Sequence, residues 1–344
     1  MSAARTFGSA ASDPSEATEV PAPTLRDDAV QVSVVGNAAI DITFRVEHLP
    51  AAGETLLALP TRESGIDFGG KGANQALICA RSGVKTSLFA ALGTDAEGDR
   101  YLAHLSEQGV DVQFLHRCAA ATDVSMITVD RNGENTIVTR SDAATGFRPE
   151  LATVLKATSA GDWVALQGNL SESITADVLR EAHLAGRHTF LNPGPVNFDC
   201  KPMLADVDVL VVNQVEAFLI TAQSDPAAAA QALHKGGAKA VFVTLGARGV
   251  LYCGADGIFT EAAIAAEAID TVGAGDAFCG VLLAGLAMQF SVRHALRWAQ
   301  AAAAFTVARS GAQNAFPSVA MLSELRPLQS LHHSQSGSSL PSLT

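Results

Sequence analysis

Two acids, Asp270 and Asp276, flank the small residues Gly273, Ala274 and Gly275 late in the chain. These small residues open a segment in which Phe278, Val281, Leu282 and Leu286 recur at helical spacing. A helix that begins on such residues leaves its first backbone N–H groups bare. Aligned with the helix dipole, they form a cradle for an anion such as phosphate. Asp276 falls in the first turn, where two readings stay open. It caps the helix, as Asp often does, or it is a general base that accepts the proton of a hydroxyl attacking a phosphoryl group. Phosphoryl transfer asks for positioning and charge stabilisation more than for a strong base. The glycines on one side and Asp270 on the other favour the second reading.

A second cluster of donors lies in Gly69-Gly70-Lys71-Gly72-Ala73-Asn74-Gln75-Ala76, which leads into a helix ending near Ser82-Gly83. The glycines let backbone approach a ligand closely, while Lys71 and Asn74 offer donors to hydroxyls. A phosphate-binding P-loop is excluded, because Gly72 stands where that motif needs a Ser or Thr hydroxyl for Mg²⁺. A dinucleotide fingerprint at Gly273 fails too, since Phe278 stands where its third glycine belongs. Asp41 is expected just past the end of a first strand at residues 30–35, where open α/β sheets bind ligands. It serves there as a ligand contact or as an ordinary Asx turn.

The elements that must position these residues alternate. Strand patterns cover 86–92, 163–167, 189–192, 207–212, 240–245 and 250–253, with helical patterns at 97–108, 174–185 and 226–235. That order predicts a mostly parallel sheet with helices on both faces, a three-layer α/β/α fold with ligands at the strand C-terminal ends. Residues 42–68 and 123–140 read instead as short strands. They include an Asn132-Gly133 hairpin signal between 126–129 and 136–138. Together they predict a small β-sheet lid whose second apolar face needs cover, hence a homodimer through the lid.

The whole chain bounds the rest. It has 344 residues, 48% hydrophobic and 17% charged, enough for one large domain with a substantial core. The expected domain spans 30–328 between disordered tails at 1–29 and 329–344. A net charge of −12 argues against nucleic acid or an anionic membrane as partner. No apolar run reaches the ~18 residues of a membrane span. The five cysteines are widely spaced and odd in number, which suggests reduced thiols in the cytoplasm.

With these pieces assembled, the sequence resembles the ribokinase (PfkB) family of carbohydrate kinases from about Val30 to Leu325. The two glycine motifs carry the resemblance. Gly53-Glu54, Gly133-Glu-Asn135, Leu191-Asn-Pro193, Thr244-Leu-Gly246 and Arg309-Ser-Gly-Ala-Gln313 support it. The resemblance implies transfer of the ATP γ-phosphoryl group to a sugar hydroxyl with Mg²⁺, ribose to ribose 5-phosphate being the leading reaction. It implies Asp276 as base with Gly273, Ala274 and Gly275 as the anion hole. Asp41, Gly69, Gly70, Lys71, Asn74 and Asn169 would be the sugar contacts. Asn213 and Glu216 would stand near the phosphates and Mg²⁺, with Thr244, Gly246, Gly249, Gly275 and Gln300 around the nucleotide. It also implies a K⁺ site at Asp270, Val272, Thr306, Arg309 and Gly311.

The chain departs from the family pattern at Ala39, which replaces an Asn, at Asn169, which replaces a sugar-binding Glu, and at Ala315, which replaces a Ser near the potassium. A missing polar contact changes substrate preference strongly, so another sugar or a nucleoside stays open as substrate. A sensor without catalysis and a nicotinamide dehydrogenase are the rivals from other classes.

Overall fold

The computed structural model describes residues 30–60, 65–132 and 134–327. The tails expected at 1–29 and 329–344 lie outside the described residues, as does Gly133 of the hairpin signal. Strand β1 (Gln31–Val35) leads through Gly36 into β2 (Ala39–Arg45), and β3 (Ile66–Gly69) runs into helix α1 (Lys71–Arg81). There follow β4 (Lys85–Phe89), β5 (Ala91–Gly93), α2 (Ala96–Glu107), β6 (His116–Cys118), β7 (Asp123–Val129) and β8 (Asn135–Arg140). Short helices α3 (Asp142–Gly146) and α4 (Leu151–Lys156) precede β9 (Trp163–Gln167), α5 (Glu172–Leu184), β10 (His188–Asn192) and β11 (Val209–Asn213). Next come α6 (Gln214–Thr221), α7 (Pro226–Lys235), β12 (Ala240–Thr244), β13 (Val250–Gly254) and β14 (Gly257–Glu261). Helices α8 (Ala274–Ala287), α9 (Val292–Val307) and α10 (Val319–Leu325) close the described chain.

Among the described residues the large sheet has the order β14-β13-β12-β11-β10-β9-β1-β4. Its strands run parallel from β4 to β12. Antiparallel β13 and β14 finish one edge. Parallel strands are buried on both faces, so alternate residues feed two cores. Val32, Val34, Ala165, Phe190 and Phe242 pack against α1, α8 and α9. Val35, Val164, Leu166, Leu210 and Val241 pack against α5 and α7. Helix α8 is buried nearly all round because it is inserted between α1 and α9. These are the three layers that the alternating pattern predicts. No helix among the described residues is long and apolar enough to cross a membrane.

The lid is a four-stranded sheet in the order β3-β2-β7-β8. It begins earlier than expected, at Ala39, so Asp41 lies within lid strand β2 rather than in a loop past β1. The sequence Ala-Ile-Asp-Ile-Thr-Phe alternates, and that alternation marks a strand with one polar and one apolar face. The expected hairpin forms, β7 and β8 pairing antiparallel as far as Val129↔Asn135 before the connection. The Asp130 carboxylate organises it by accepting from the Asn132 and Glu134 amides at 2.8 and 2.9 Å. The run expected at 86–92 breaks at Ala90 into β4, in the large sheet, and β5, which pairs with β6 in a separate small sheet.

Candidate active site

Five parallel strands bring polar side chains to one edge of the large sheet: Asn37 just past β1, then Gln167, Asn192, Asn213 and Thr244 at the ends of β9, β10, β11 and β12. Register puts Asn192 beside Gln167 and Asn213 beside Thr244. Helices α1 and α8 begin over this edge. Asn37 anchors α1: its backbone carbonyl accepts from Ala73 N at 2.9 Å and its side-chain oxygen from Gly72 N at 3.3 Å. Gly70 enters that helix at φ 89°. A Cβ there would lie 2.8 Å from Ala38 Cα, so both conformation and space demand glycine.

Helix α8 starts at Gly273 with φ 77°, again in the left-handed region. Its first ring closes from Ala277 N to the Gly273 carbonyl, which leaves the Gly275 and Asp276 amides ahead of it at the dipole's positive end. A Cβ on Gly275 would meet nothing within 4 Å, so this corner is open. Asp276 is buried, yet both carboxylate oxygens are served from α1. Asn74 Nδ2 donates to Oδ2 at 2.9 Å and Gln75 Nε2 donates to Oδ1 at 3.1 Å. Lys71 Nζ stands 3.7 Å from Oδ1, and the Asp276 charge beside it raises the Lys71 pKa. Asp276 therefore does not act as a helix cap; its oxygens face the donors of a different helix.

Asp41 faces the same space from the lid. Register aligns it with Asp67 on β3 and Ser125 on β7, and Ser125 in turn with Thr139 on β8. Burial pushes the Asp41 carboxyl up to about 7, the Ser125 hydrogen bond opposes this, and the charges of Asp67 and Asp276 add to it. A cavity of about 240 Å³ under the lid is lined by Asp41, Thr43, Arg45, Asp67, Asp270 and Gly311, among others.

The other expected residues fall in three groups. Asn169 lies just past β9 with its Oδ1 buried and lacking a hydrogen-bond partner, an acceptor that suits a substrate hydroxyl. Asn213 and Glu216 close a capping box at the start of α6, with Glu216 Oε2 accepting from Asn213 N at 2.8 Å. That leaves Glu216 Oε1, which lies against Gly194 and within electrostatic reach of Lys71. Thr244, Gly246 and Gly249 line the turn after β12, where a Gly249 Cβ would collide with the Glu261 carbonyl. Gln300 departs from expectation. It is buried and its amide nitrogen donates to the Glu261 and Ala262 carbonyls at 3.2 and 3.1 Å. Its donor therefore holds the end of β14 rather than a ligand.

In the expected cation loop, Asp270 accepts from Val272 N at 3.0 Å and Gly311 N at 3.1 Å, joining its two halves. Thr306 fits a cation less well. Its hydroxyl donates to the Ala302 carbonyl at 2.8 Å, and its carbonyl accepts from Arg309 N at 3.0 Å. The Arg309 guanidinium lies over Phe305. What remains are carboxylate and carbonyl oxygens, a donor set that fits a hard cation.

Gln75 and Gln313 escaped functional assignment at the sequence level although both stand inside quoted motifs. Gln75 touches Asp276, Asn192 and Gln167, and Gln313 touches Asn74, Tyr101 and His104. Each set of partners is scattered along the chain, so spacing carries no signal of it.

The description "pfkB family carbohydrate kinase" matches residues 30–319. The chain is 32% identical to mouse ribokinase over 310 residues, covering 86% of this chain and 94% of that protein. It is 29% identical to Haemophilus influenzae ribokinase over 293 residues, covering 83% and 95%. Among solved structures, Arabidopsis thaliana ribokinase complexed with ribose and ATP superposes with a TM-score of 0.78 at 28% identity, covering 87% of this chain and 99% of that one.

Proposed function

The chain belongs to the PfkB family of carbohydrate kinases, and from that premise we propose that it phosphorylates D-ribose to D-ribose 5-phosphate with ATP. The observation that carries the reading is the Asp276 carboxylate in the first turn of α8, held by Asn74 and Gln75 with Lys71 alongside. Asp276 accepts the proton of the attacking hydroxyl. The amides opened by Gly273, Ala274 and Gly275 hold the terminal phosphate as charge builds on it. Asp41, Gly69, Gly70, Lys71, Asn74 and Asn169 orient the sugar, with the Asn169 oxygen accepting one of its hydroxyls. Thr244, Gly246 and Gly249 form the nucleotide wall.

Mg²⁺ fits beside Glu216, whose second oxygen lies outside the capping box; it would neutralise the phosphate oxygens and keep most of its waters. K⁺ fits the carbonyls of Val272, Arg309 and Gly311 around Asp270. The lid leaves Phe44, Met126 and Val138 exposed, and a second copy would cover this apolar face. Five unpaired thiols suit a reducing cytoplasm.

The test is a panel of ribose, 2-deoxyribose, fructose, 2-keto-3-deoxygluconate and nucleosides scored by ADP release. Ribose should give the highest kcat/KM. A nucleoside or another sugar above it overturns the substrate, and no ADP with any of them overturns the kinase reading.

A further inference from the structure

Lid strand β3 ends in Asp67, Phe68 and Gly69, and each of the three makes a contact outside the lid: Asp67 with backbone amides, Phe68 and Gly69 with side chains. Asp67 Oδ2 accepts from Ala312 N at 2.9 Å and Asn314 N at 3.4 Å, the residues on either side of Gln313. The Phe68 ring stacks on His104 at 4.1 Å, and His104 Nε2 donates to Gln313 Oε1 at 2.8 Å. The Gly69 carbonyl accepts from the Tyr101 hydroxyl, which itself accepts from Gln313 Nε2 at 2.8 Å. The second bond of that amide nitrogen goes to Asn74 Oδ1 at 2.9 Å. Asn74 then donates to Asp276.

Gln313 is 2% exposed, and its amide oxygen and nitrogen are all in use. Three amide bonds inside a dry site are costly to leave unmade, so they form together or fail together. Strand β3 therefore has one seat that satisfies the network. In that seat Asn74 presents its carbonyl to Gln313 and its N–H to Asp276.

We propose that Gln313 is a positioning residue that couples the seating of lid strand β3 to the orientation of the Asp276 carboxylate through Asn74. Gln313 is too far down the chain of contacts to touch a substrate; it acts through Asn74. The inference rests on Asp276 being the base of the kinase reaction. With the lid unseated, Asn74 is free to turn and the base loses one of its two amide donors, so transfer waits for closure.

The experiment compares the parent with Gln313→Met, which keeps length and volume but removes every side-chain hydrogen bond, and with Tyr101→Phe, which cuts the Gly69–Tyr101–Gln313 link and leaves the His104 and Asn74 bonds of Gln313 in place. Steady-state kcat, the KM values for sugar and ATP, sugar-independent ATP hydrolysis and melting temperature are read for each. The expected result is a kcat of Gln313→Met lower by about 10- to 100-fold with the ATP KM within about threefold of the parent. Tyr101→Phe should lose several-fold in kcat and raise the share of ATP hydrolysed without sugar transfer. Unchanged kcat and coupling in a folded Gln313→Met overturn the inference while leaving the kinase reading intact. Should Gln313→Met fail to fold, parental kcat and coupling in Tyr101→Phe overturn it in the same way. A parent that phosphorylates no sugar overturns both.

Discussion

Asn74 Nδ2 and Asp276 Oδ2 meet at 2.9 Å across 202 positions of sequence, the tightest side-chain link between helices α1 and α8. Gln75 and Lys71 approach the other oxygen of the same carboxylate. The acid is therefore held in one orientation before any substrate arrives, which is what positioning catalysis requires. Asp276→Asn keeps the shape of the site and removes the proposed base. Turnover should fall by roughly 100-fold or more, with ATP binding by calorimetry near the parental value. Turnover within a few-fold of the parent would contradict the assignment.

Close contact of the two helices depends on Gly280, one turn beyond Asp276. A Cβ there would lie 2.2 Å from Ile78 Cγ2 and 2.7 Å from the Gln75 carbonyl. Gly280→Ala forces α8 away from α1, costing about 1–3 kcal/mol and separating Asp276 from its donors. Denaturant melts should show lower stability and assays a lower kcat. Parental values for both would show that the helices part without strain.

Asp41 gives a pH dependence. Its carboxyl rises from the ordinary 3.8 to about 7, through burial first and then the neighbouring charges. The folded chain thus holds this proton more tightly than the unfolded chain, and stability falls as pH rises between those values. The difference amounts to at most about 4 kcal/mol above pH 7. Asp41→Asn should melt higher than the parent at pH 8, with the gap shrinking toward pH 4. It should also bind sugar poorly. In the parent, the sugar KM should climb as pH drops below 7 and the carboxylate acceptor is lost. A flat sugar KM from pH 8 to 6 would remove Asp41 from the binding step.

Asp208 serves as the contrast at the far edge of the sheet. Burial alone would raise its pKa, but His188, Lys239 and the Thr189 amide outweigh this and hold it at about 2. A depressed carboxyl stabilises above its ordinary 3.8 and loses that contribution as pH falls toward 2. Asp208→Ala should cost about 1–3 kcal/mol at pH 7 and leave kcat and both KM values unchanged below the melting range. A kinetic defect without a stability loss would mean that the two ends of the strands are coupled.

Replacing K⁺ with a bulky organic cation should lower kcat several-fold, and chelating Mg²⁺ should abolish turnover. Equal rates in both monovalent salts would argue against a cation at Asp270 and Gly311.

Much of this arrangement was legible beforehand. Residues 163–167 and 226–235 match β9 and α7 end to end, because continuous apolar runs and a Pro-led helix start are local signals. The strand end before Gly36 was read correctly, but Asp41 was placed in a loop because the alternation that resumes at Ala39 was overlooked. The hairpin signalled around Asn132 is there, β7 pairing with β8, and the Asp130 carboxylate that accepts from the Asn132 and Glu134 amides is a contact that the signal does not show. Gln313 could not be found locally at all, since its partners are Asn74, Tyr101 and His104. Motif spacing drew attention to Asp276; only the fold supplied the partners of its carboxylate.

Strand β2 lines the cavity with Asp41, Thr43 and Arg45, while between them Phe44 is exposed. The proposed sugar contacts and the proposed association patch thus share one peptide ribbon. With a second copy seated there as proposed, dilution would strip it away, wet that ribbon and relax its inner side. Specific activity should then sag at low enzyme concentration and recover on concentrating the sample.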